Sequence, residues 1–230
     1  MFLSKIVLKP GTGFAFRKDP YLLHVRLEMA FPTVKRVESD PSNLDAFVRE
    51  HFGDGHVVVD QSNLRRTEES NYLYRLDSRP GGSYHLLMQS AKKPNFDYAF
   101  KTIRSEVTSF DIVAFSTKLA VGDRVGFSLR MQPLGGLNKG GPKTPTVLSR
   151  DEAVAFIAKR LNRAAKNLVA YETRRTWVNV RKGGKQFQVP IADYEGEFVV
   201  RNTDELQKMR VAGLGRGKML GCGLLVVFKM

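Results

Sequence analysis

An early part of the chain carries two side chains that could move protons at neutral pH. Tyr21 and His24 are three residues apart, and in a helix this spacing places two side chains beside each other on one face. Imidazole has an ordinary pKa of about 6.5, so it can both accept and donate a proton near neutral pH. A phenol beside an imidazole therefore predicts general acid–base chemistry. The same pair is also compatible with a purely structural role.

The helix that would carry this pair has clear boundaries in the sequence. Asp19 followed by Pro20 predicts its start, and Pro32 predicts its end. The arc of the helix that holds Tyr21 and His24 also holds Glu28, and this arc is expected either to turn away from the core or to flank it. The residues predicted to face the core are Leu23, Leu27, Ala30 and Phe31.

Five glycines and two cations lie together near the C-terminus, in the stretch 213–223. Glycine lets the backbone adopt positive φ and approach a ligand, and successive amide groups in such a turn form a concave anion site. Arg216 and Lys218 add positive charge, so we predict that this glycine-rich loop, with Gly215 and Gly217, contacts phosphate groups. The plainer alternative is a glycine-rich helix C-cap that leads into a buried strand.

Two familiar nucleotide-binding motifs do not fit this loop. A P-loop needs Ser or Thr after its final lysine, whereas Met219 follows Lys218. The dinucleotide fingerprint Gly-x-Gly-x-x-Gly would need a glycine where Lys218 stands. Both motifs also run from a strand into a helix, while here the predicted helix comes first. Binding of a nucleotide cofactor is therefore disfavoured, and no small-molecule cofactor is predicted.

The overall charge also indicates a polyanionic partner. The chain has 37 Lys and Arg against 23 Asp and Glu, a formal net charge of +14 and a pI near 10.0. A strongly basic folded protein most often binds nucleic acid, and a membrane surface is the second choice. The apolar segments are too short for a signal peptide or a spanning helix, so no membrane partner is predicted. The single cysteine, Cys222, fits a reducing compartment, and a cytoplasmic location is predicted.

The order of the predicted elements indicates a doubled unit. In each half a strand and a helix are followed by two strands, a second helix and a closing strand. This is the βαββαβ order of the ferredoxin-like fold, which the RNA-recognition motif also uses. We therefore predict an α+β protein with two tandem ferredoxin-like domains, 1–117 and 122–230. The polar stretch 33–71 is interpreted as an insertion that could hold a short helix over 44–52.

Four basic elements are predicted in the second half. Ser149 and Glu152 form a capping box that opens a helix, predicted to continue to Leu168, with a cationic outer face. The hairpin tip 181–185, the loop 134–146 and the glycine-rich loop add further cations. Each alone could be a solvated face, but together they predict a surface that neutralises several phosphates. Besides Gly215, Arg216, Gly217 and Lys218, the residues predicted to contact RNA are Arg160, Arg163, Lys166, Lys182, Lys185, Lys139 and Lys143.

The other histidines are weaker candidates for chemistry. His51 and His56 flank a Gly-Asp-Gly turn, but a second cysteine and a His-x-x-x-His pair are both missing from the sequence. A zinc site is therefore disfavoured, and no metal site is predicted. His85 falls inside a predicted strand, a position that is more typical of a packed side chain.

Several of these segments together resemble a known family, the CasE-type CRISPR-repeat endoribonucleases of the type I-E Cascade complex. The resemblance spans both halves of the chain, and its C-terminal motif is the most specific part. It lies in Tyr21-Leu22-Leu23-His24 ahead of Phe31-Pro32, the strand His85–Ser90, Leu129-Arg130 before Pro133, and Gly213-x-Gly215-x-x-Lys218-x-x-Gly221-Cys222-Gly223-Leu224-Leu225.

The resemblance implies tandem ferredoxin-like domains that bind the hairpin of CRISPR repeat RNA and cut at its base. It implies metal-independent attack of a ribose 2′-OH on the adjacent phosphodiester, which leaves a 2′,3′-cyclic phosphate or 3′-phosphate and a 5′-hydroxyl. The enzyme would then stay on the mature crRNA beside other Cascade subunits. By this likeness His24 is the principal acid–base residue, Tyr21 is its partner, and Arg216 and Lys218 hold the RNA backbone. A non-catalytic RNA-binding subunit with the same fold, and more distantly a ribosome-associated basic protein, are the alternatives.

Overall fold

The computed structural model describes residues 1–31, 33–36, 56–59, 71–115, 118–135, 145–182 and 185–230. In 33–36, in 56–59 and at positions 181, 182 and 185, only the backbone is described. The helix predicted over 44–52, together with His51, Lys139 and Lys143, lies outside these ranges. Across them, no helix combines the length and the apolar character needed to cross a membrane.

The first half of the chain builds a four-stranded antiparallel sheet in the order β4-β5-β1-β6. A separate antiparallel pair is formed by β2 and β3, within the stretch interpreted as an insertion. A 3₁₀ helix, Lys101–Glu106, precedes the last strand. The elements are β1 (Phe2–Leu8), α1 (Pro10–Lys18), α2 (Pro20–Glu28), β2 (Thr33–Arg36), β3 (His56–Val59), β4 (Tyr72–Ser78), β5 (Tyr84–Ser90), α3 (Phe96–Ala99) and β6 (Val107–Ala114).

The second half builds another four-stranded antiparallel sheet, in the order β10-β7-β9-β8. In both sheets the strand order is that of a ferredoxin-like unit, so the predicted α+β fold is confirmed. A 3₁₀ helix, Lys218–Leu220, lies inside the glycine-rich loop. The elements are β7 (Arg124–Met131), α4 (Arg150–Leu161), β8 (Ala165–Lys182), β9 (Lys185–Val200), α5 (Thr203–Ala212) and β10 (Leu225–Lys229).

The predicted capping box at the start of α4 is present, with the Ser149 and Glu152 side chains each bonded to the other's backbone amide. The predicted length of this helix was wrong, because it ends at Leu161 and the chain enters β8 at Ala165. Pairing of β8 with β9 outweighs the helical spacing of the apolar residues there. Lys166 consequently lies on a strand, and the cationic stripe is shorter than expected.

Each half has its own apolar core. In the first half, strand and helix side chains such as Ile6, Leu27 and Tyr72 are buried together. In the second half, Phe127 and Ile157 belong to a separate cluster. A third, smaller cluster lies where the halves meet, and it joins α2 to the second half. Its members are Val180, Ile191, Leu220 and Cys222, with Tyr21, Val178, Val189 and Met219 packed against them.

Ionic contacts also hold the two halves together. Arg130 on β7 donates to both carboxylate oxygens of Asp193 on β9, at 2.6 and 3.1 Å, and to Asp77 on β4 at 3.0 Å. Burial alone would lower the pKa of the Arg130 guanidinium, but the two aspartates outweigh it and raise this pKa. Arg130 therefore stays charged and ties the second sheet to the edge strand of the first.

Candidate active site

The helix that carries Tyr21 and His24 begins as the sequence predicts. The Asp19 side chain accepts a hydrogen bond from the Tyr21 amide at 3.2 Å, and Pro20 occupies the first turn. The helix ends at Glu28 and not at Phe31, but all four residues predicted to face the core are buried. One buried side fixes the rotation of α2, so its other residues point in defined directions.

The imidazole of His24 is held by two partners from different elements. The Tyr72 hydroxyl on β4 lies 2.9 Å from His24 Nδ1 and also donates to Glu28 Oε1 at 2.8 Å. Glu28 Oε1 lies 3.6 Å from His24 Nε2, an ion pair when the ring is protonated. The His24 and Glu28 side chains are each 12% exposed, whereas Tyr72 is 1% exposed. The imidazole thus has a small opening to solvent and a fixed inner side.

This arrangement favours one proton distribution on the His24 ring. A phenol hydroxyl has one proton, so a Tyr72 hydroxyl that donates to Glu28 can only accept from His24. The proton of neutral imidazole is then on Nδ1, and Nε2 keeps its lone pair. Sequence reasoning placed Glu28 on the same helix arc but missed Tyr72, since strand pairing 48 residues away brings it to the site.

Tyr21 is placed beside His24 as predicted, with ring centroids 5.9 Å apart. Tyr21 is also half-buried against the third cluster of the second half. This contact sets α2 directly against β8 and the 3₁₀ helix of the glycine-rich loop. The acid–base pair and the loop, which are about 190 residues apart in sequence, are therefore neighbours in the fold.

The glycine-rich loop has the backbone that its composition predicts. Gly213, Gly215, Gly217, Gly221 and Gly223 all have positive φ, between 73° and 90°. Residues with a Cβ rarely adopt this conformation. At Gly217 space is also restricted, because a Cβ there would lie 2.7 Å from the Gln132 side chain.

The loop contacts two neighbouring residues of the edge strand of the first sheet, which lie on opposite faces of that strand. A Cβ at Gly213 would lie 2.8 Å from the Leu73 side chain. On the helix side, the Tyr74 hydroxyl donates to the Met219 carbonyl at 2.6 Å and lies 3.2 Å from the Pro20 carbonyl. One tyrosine thus links the loop to the first turn of α2.

Part of the loop has backbone amides that are not used in hydrogen bonds to described residues. Its outer amides are used internally, as in the bonds from Leu214 to Gly223 and from Cys222 to Gly217. Among the described residues, the amides of Gly215, Arg216 and Gly217 make no hydrogen bond. Three consecutive N–H groups of this kind are the donors that an anion site needs, and the exposed Arg216 side chain adds charge beside them.

The Lys218 side chain has a protein partner that the sequence did not predict. Its ammonium group donates to the Ala212 carbonyl at the C-terminal end of α5. A cation there stabilises the unpaired carbonyl groups of the helix end. Lys218 therefore helps to hold the loop against α5, and any contact with phosphate would come in addition to that bond.

Within the described part of the second half, the predicted cationic residues fall into separate groups along the chain. Arg160 and Arg163, exposed at the end of α4, lie with Lys166 at the start of β8, whereas Lys182 and Lys185 pair at the far end of the β8–β9 hairpin. At about 3.3 Å per residue, an extended strand of 16 residues spans about 50 Å. The hairpin tip belongs to the outer part of the β8–β9 hairpin, which we call the β8–β9 arm. This arm also contains Val178 and Val180, which pack near Tyr21 and the glycine-rich loop. The helix-end cations form a separate basic patch.

Three other described side chains that could take part in chemistry are inert or are directed elsewhere. The Cys222 thiol is buried, and burial raises its pKa to about 12. His85 lies on β5, where burial and then Lys5 lower its pKa. Arg26 on α2 is directed to the other side of the helix and donates to Ala99 and Thr102. His56 lies on β3, where only its backbone is described.

The fold and the site together define a class: a basic, two-domain α+β protein with a ferredoxin-like sheet in each half. The chain belongs to the CRISPR associated protein family, whose model matches residues 1–229. It is 24% identical over 237 residues to the CRISPR system Cascade subunit CasE of Escherichia coli K12, with 98% of both chains covered. The expected likeness to CasE-type proteins is confirmed.

Solved structures of similar fold cover nearly the whole chain. A Thermus thermophilus Cse3 bound to an RNA that represents a pre-cleavage complex has a TM-score of 0.70 at 22% identity, over 99% of this chain and 98% of that one. The Cas6e protein of Escherichia coli K-12 has a TM-score of 0.60 at 20% identity, over 99% and 98%. At this identity the likeness supports the fold.

Proposed function

We propose that this protein is an endoribonuclease that processes CRISPR repeat RNA. It binds the stem-loop of the repeat, cleaves at the base of the stem and keeps the mature crRNA as a subunit of a Cascade complex. The family supports this function, as do the names of two relatives, a Cascade subunit CasE and a Cse3 bound to RNA. The observation that carries it is the contact of the His24 helix with the glycine-rich loop through Tyr74.

The reaction we propose is an internal transesterification without a metal ion. The 2′-oxygen of the nucleotide before the cut forms a bond to phosphorus, and the bond from phosphorus to the leaving 5′-oxygen breaks. The proton of the 2′-OH goes to a base, and another proton goes to the 5′-oxygen. The products are a 2′,3′-cyclic phosphate and a 5′-hydroxyl, and no other reactant is needed.

The two proton transfers are assigned to the α2 pair. His24 Nε2 transfers one of the two protons, because Nδ1 is already bonded to Tyr72, and Tyr21 transfers the other. Glu28 and Tyr72 are positioning residues, since they fix the imidazole without reaching the RNA. General acid–base groups supply about 10²- to 10⁴-fold, so the remaining acceleration comes from holding the three reacting atoms in line.

The second half is proposed to hold the RNA. The amides of Gly215, Arg216 and Gly217, with the Arg216 and Lys218 side chains, bind a phosphate near the cut. The hairpin tip with Lys182 and Lys185 contacts the stem. Arg160, Arg163 and Lys166, on their separate patch, contact phosphates further away. Lys139 and Lys143 are proposed as additional contacts on sequence grounds alone.

The proposal is tested with the repeat hairpin of the source organism in buffer that contains EDTA. We expect one cut, a cyclic phosphate or 3′-phosphate on the upstream product and a 5′-hydroxyl on the downstream one. An RNA with a 2′-deoxynucleotide before the cut should bind with unchanged affinity and stay intact. Tight binding without any cut would favour the second candidate, a non-catalytic RNA-binding subunit. The nearly closed environment of His24, 12% exposed, is the observation that favours that candidate.

A further inference from the structure

A cavity of about 150 Å³ lies between the two halves, beside the proposed site. It is bounded by α1 and α2, by strand β4 and by the start of the β8–β9 arm. Protein interiors are packed with few voids larger than a water molecule. A cavity of about this volume is large enough to hold a benzene ring. The gap between the halves can therefore accept a planar ring system.

The inner walls of the cavity are apolar. They come from both halves, so the cavity exists only where the halves meet. A flat, uncharged ring that enters such a space would gain contacts on both faces. The apolar side chains that line it are Phe16, Leu23, Leu76, Val178, Ile191 and Leu220.

The outer part of the cavity is polar and carries a net positive charge. Arg130, Asp77 and Asp193 form the ion network described above, and Asp77 is also paired with Arg75 at 2.8 Å. Arg17 and Arg174 add two further charges, and both are exposed. Arg17 donates to Ser78 at 3.3 Å. Among the described residues the Arg174 guanidinium has no hydrogen bond or ion pair, so it can bind an anion without losing a partner.

The position of the cavity relates it to the RNA site. Pro20 and Leu23, which flank Tyr21 on α2, line it, and so does Gly221 of the glycine-rich loop. A nucleotide seated there would be next to the helix that carries His24. An apolar slot with arginines at its opening matches a nucleotide, because the base is a flat ring and the phosphate is an anion.

We infer that this cavity binds one unpaired nucleotide of the RNA substrate, with its base inside and its phosphate at Arg17 and Arg174. The inference rests on the proposed function, because it takes the ligand to be part of the same RNA. Binding in the cavity would separate an unpaired nucleotide beside the stem from its neighbours. The bound nucleotide would then fix the direction of the RNA backbone at the cleaved bond. The cavity would thereby contribute to the choice of the cleaved bond.

The test uses the repeat hairpin with its unpaired flanking nucleotides, each replaced in turn by an abasic nucleotide. With wild-type protein, one abasic position should weaken binding about tenfold, the effect expected when one buried or stacked base is lost. Thr176→Trp places a large ring at the cavity wall. This variant should bind the intact and the abasic RNA equally well. Thr108→Trp, at an exposed position of β6, is the matched control and should keep the tenfold difference.

A second variant avoids any disturbance of the core. Arg174→Ala should weaken binding of the flanked hairpin several-fold but leave binding of a blunt hairpin unchanged, while Arg104→Ala should affect both RNAs alike. The inference is overturned if no abasic position matters, or if Thr176→Trp keeps the tenfold difference. If the wild type cuts the hairpin but shows no abasic effect, the inference alone fails. If the wild type neither binds nor cuts, the proposed function fails and the inference with it.

Discussion

The two regions that meet at the site, the His24 network and the glycine-rich loop, are built in opposite ways. His24 is surrounded by side chains, with Tyr72 and Glu28 within hydrogen-bond or ion-pair distance. The glycine-rich loop offers backbone, with three consecutive amides that make no hydrogen bond to described residues. The His24 side chain is nearly buried and has hydrogen-bond partners, whereas the loop has amides that lack partners among the described residues.

This difference matches the two roles that we propose for these regions. Proton transfer needs a ring held in one orientation and one tautomer, which buried hydrogen-bond partners provide. Phosphate binding needs donors that are not already used, which positive-φ glycines provide at a turn. The comparison makes a clear separation: changes in the His24 network should alter the cleavage rate, and changes in the loop should alter affinity.

The largest effect is expected at His24 itself. His24→Ala should lower the single-turnover cleavage rate by about 10²- to 10⁴-fold, because one acid–base group is lost. Affinity for the hairpin should stay within about twofold, since the loop is untouched. His85→Ala, on strand β5 of the first half, is the control. Equal cleavage rates for His24→Ala and wild type would contradict the assignment of His24 as an acid–base group.

A smaller loss of rate is expected from the positioning residue on β4. Tyr72→Phe removes the hydroxyl that bonds His24 Nδ1 and should lower kcat about tenfold with KM unchanged, because the ring is less well oriented. Tyr84→Phe, another buried tyrosine, should have no effect. The tautomer of His24, read from its ring nitrogen shifts by NMR, should change in Tyr72→Phe only. An unchanged tautomer in Tyr72→Phe would contradict the role of Tyr72 as a positioning residue for His24.

Variants of the glycine-rich loop should change RNA affinity and not the cleavage rate. Arg216→Ala and Lys218→Ala should each make the slope of log affinity against log salt shallower by about 0.7 to 1 if each cation meets one phosphate. The rate of the bound complex should change little. Lys218→Ala should also lower the melting temperature, because its ammonium bonds the end of α5. Titration of hairpin binding between low and moderate salt measures the slope for each variant. An unchanged slope would argue against the assignment of the loop as a phosphate site.

The smallest effect on function is expected deep in the second half. Burial alone would raise the pKa of Glu172, but hydrogen bonds from Arg175 and Tyr194 outweigh it and lower the pKa. A lowered pKa stabilises the fold above the unfolded-state pKa of about 4.3, and this part is lost as the pH falls. Glu172→Gln should cost about 1–3 kcal/mol at pH 7. Its unfolding free energy should fall less steeply below pH 5, with cleavage at 25 °C retained.

Much of the fold could be predicted because its signals are local. The Asp19 cap, the Ser149 capping box and the glycine end of α5 each occupy a few neighbouring residues, and all three are present. Helix α1 was missed because Gly11 and Gly13 suggest a turn. The structure shows why Gly13 is there, since a Cβ would lie 2.2 Å from the Tyr84 ring. That reason is a contact 71 residues away.

The site was partly predictable for the same reason. Tyr21 and His24 are neighbours on one helix, so their spacing was enough to pair them. Tyr72 reaches His24 only through the pairing of β4 in the sheet, and Tyr74 reaches the loop only through the packing of the two halves. The end of α4 at Leu161 was likewise decided by pairing with β9, which helical periodicity does not report.

The central claim is that the α2 pair moves the protons of the cleavage step. A hairpin whose leaving 5′-oxygen is replaced by sulfur tests it most directly, because a thiolate departs without being protonated. We predict that this substrate restores cleavage, by at least about 10²-fold relative to the oxygen substrate, in one of the two variants His24→Ala and Tyr21→Phe. The residue replaced in the rescued variant is the general acid. The residue replaced in the other variant is the general base, which the sulfur substrate still needs. Rescue of neither variant would contradict the account.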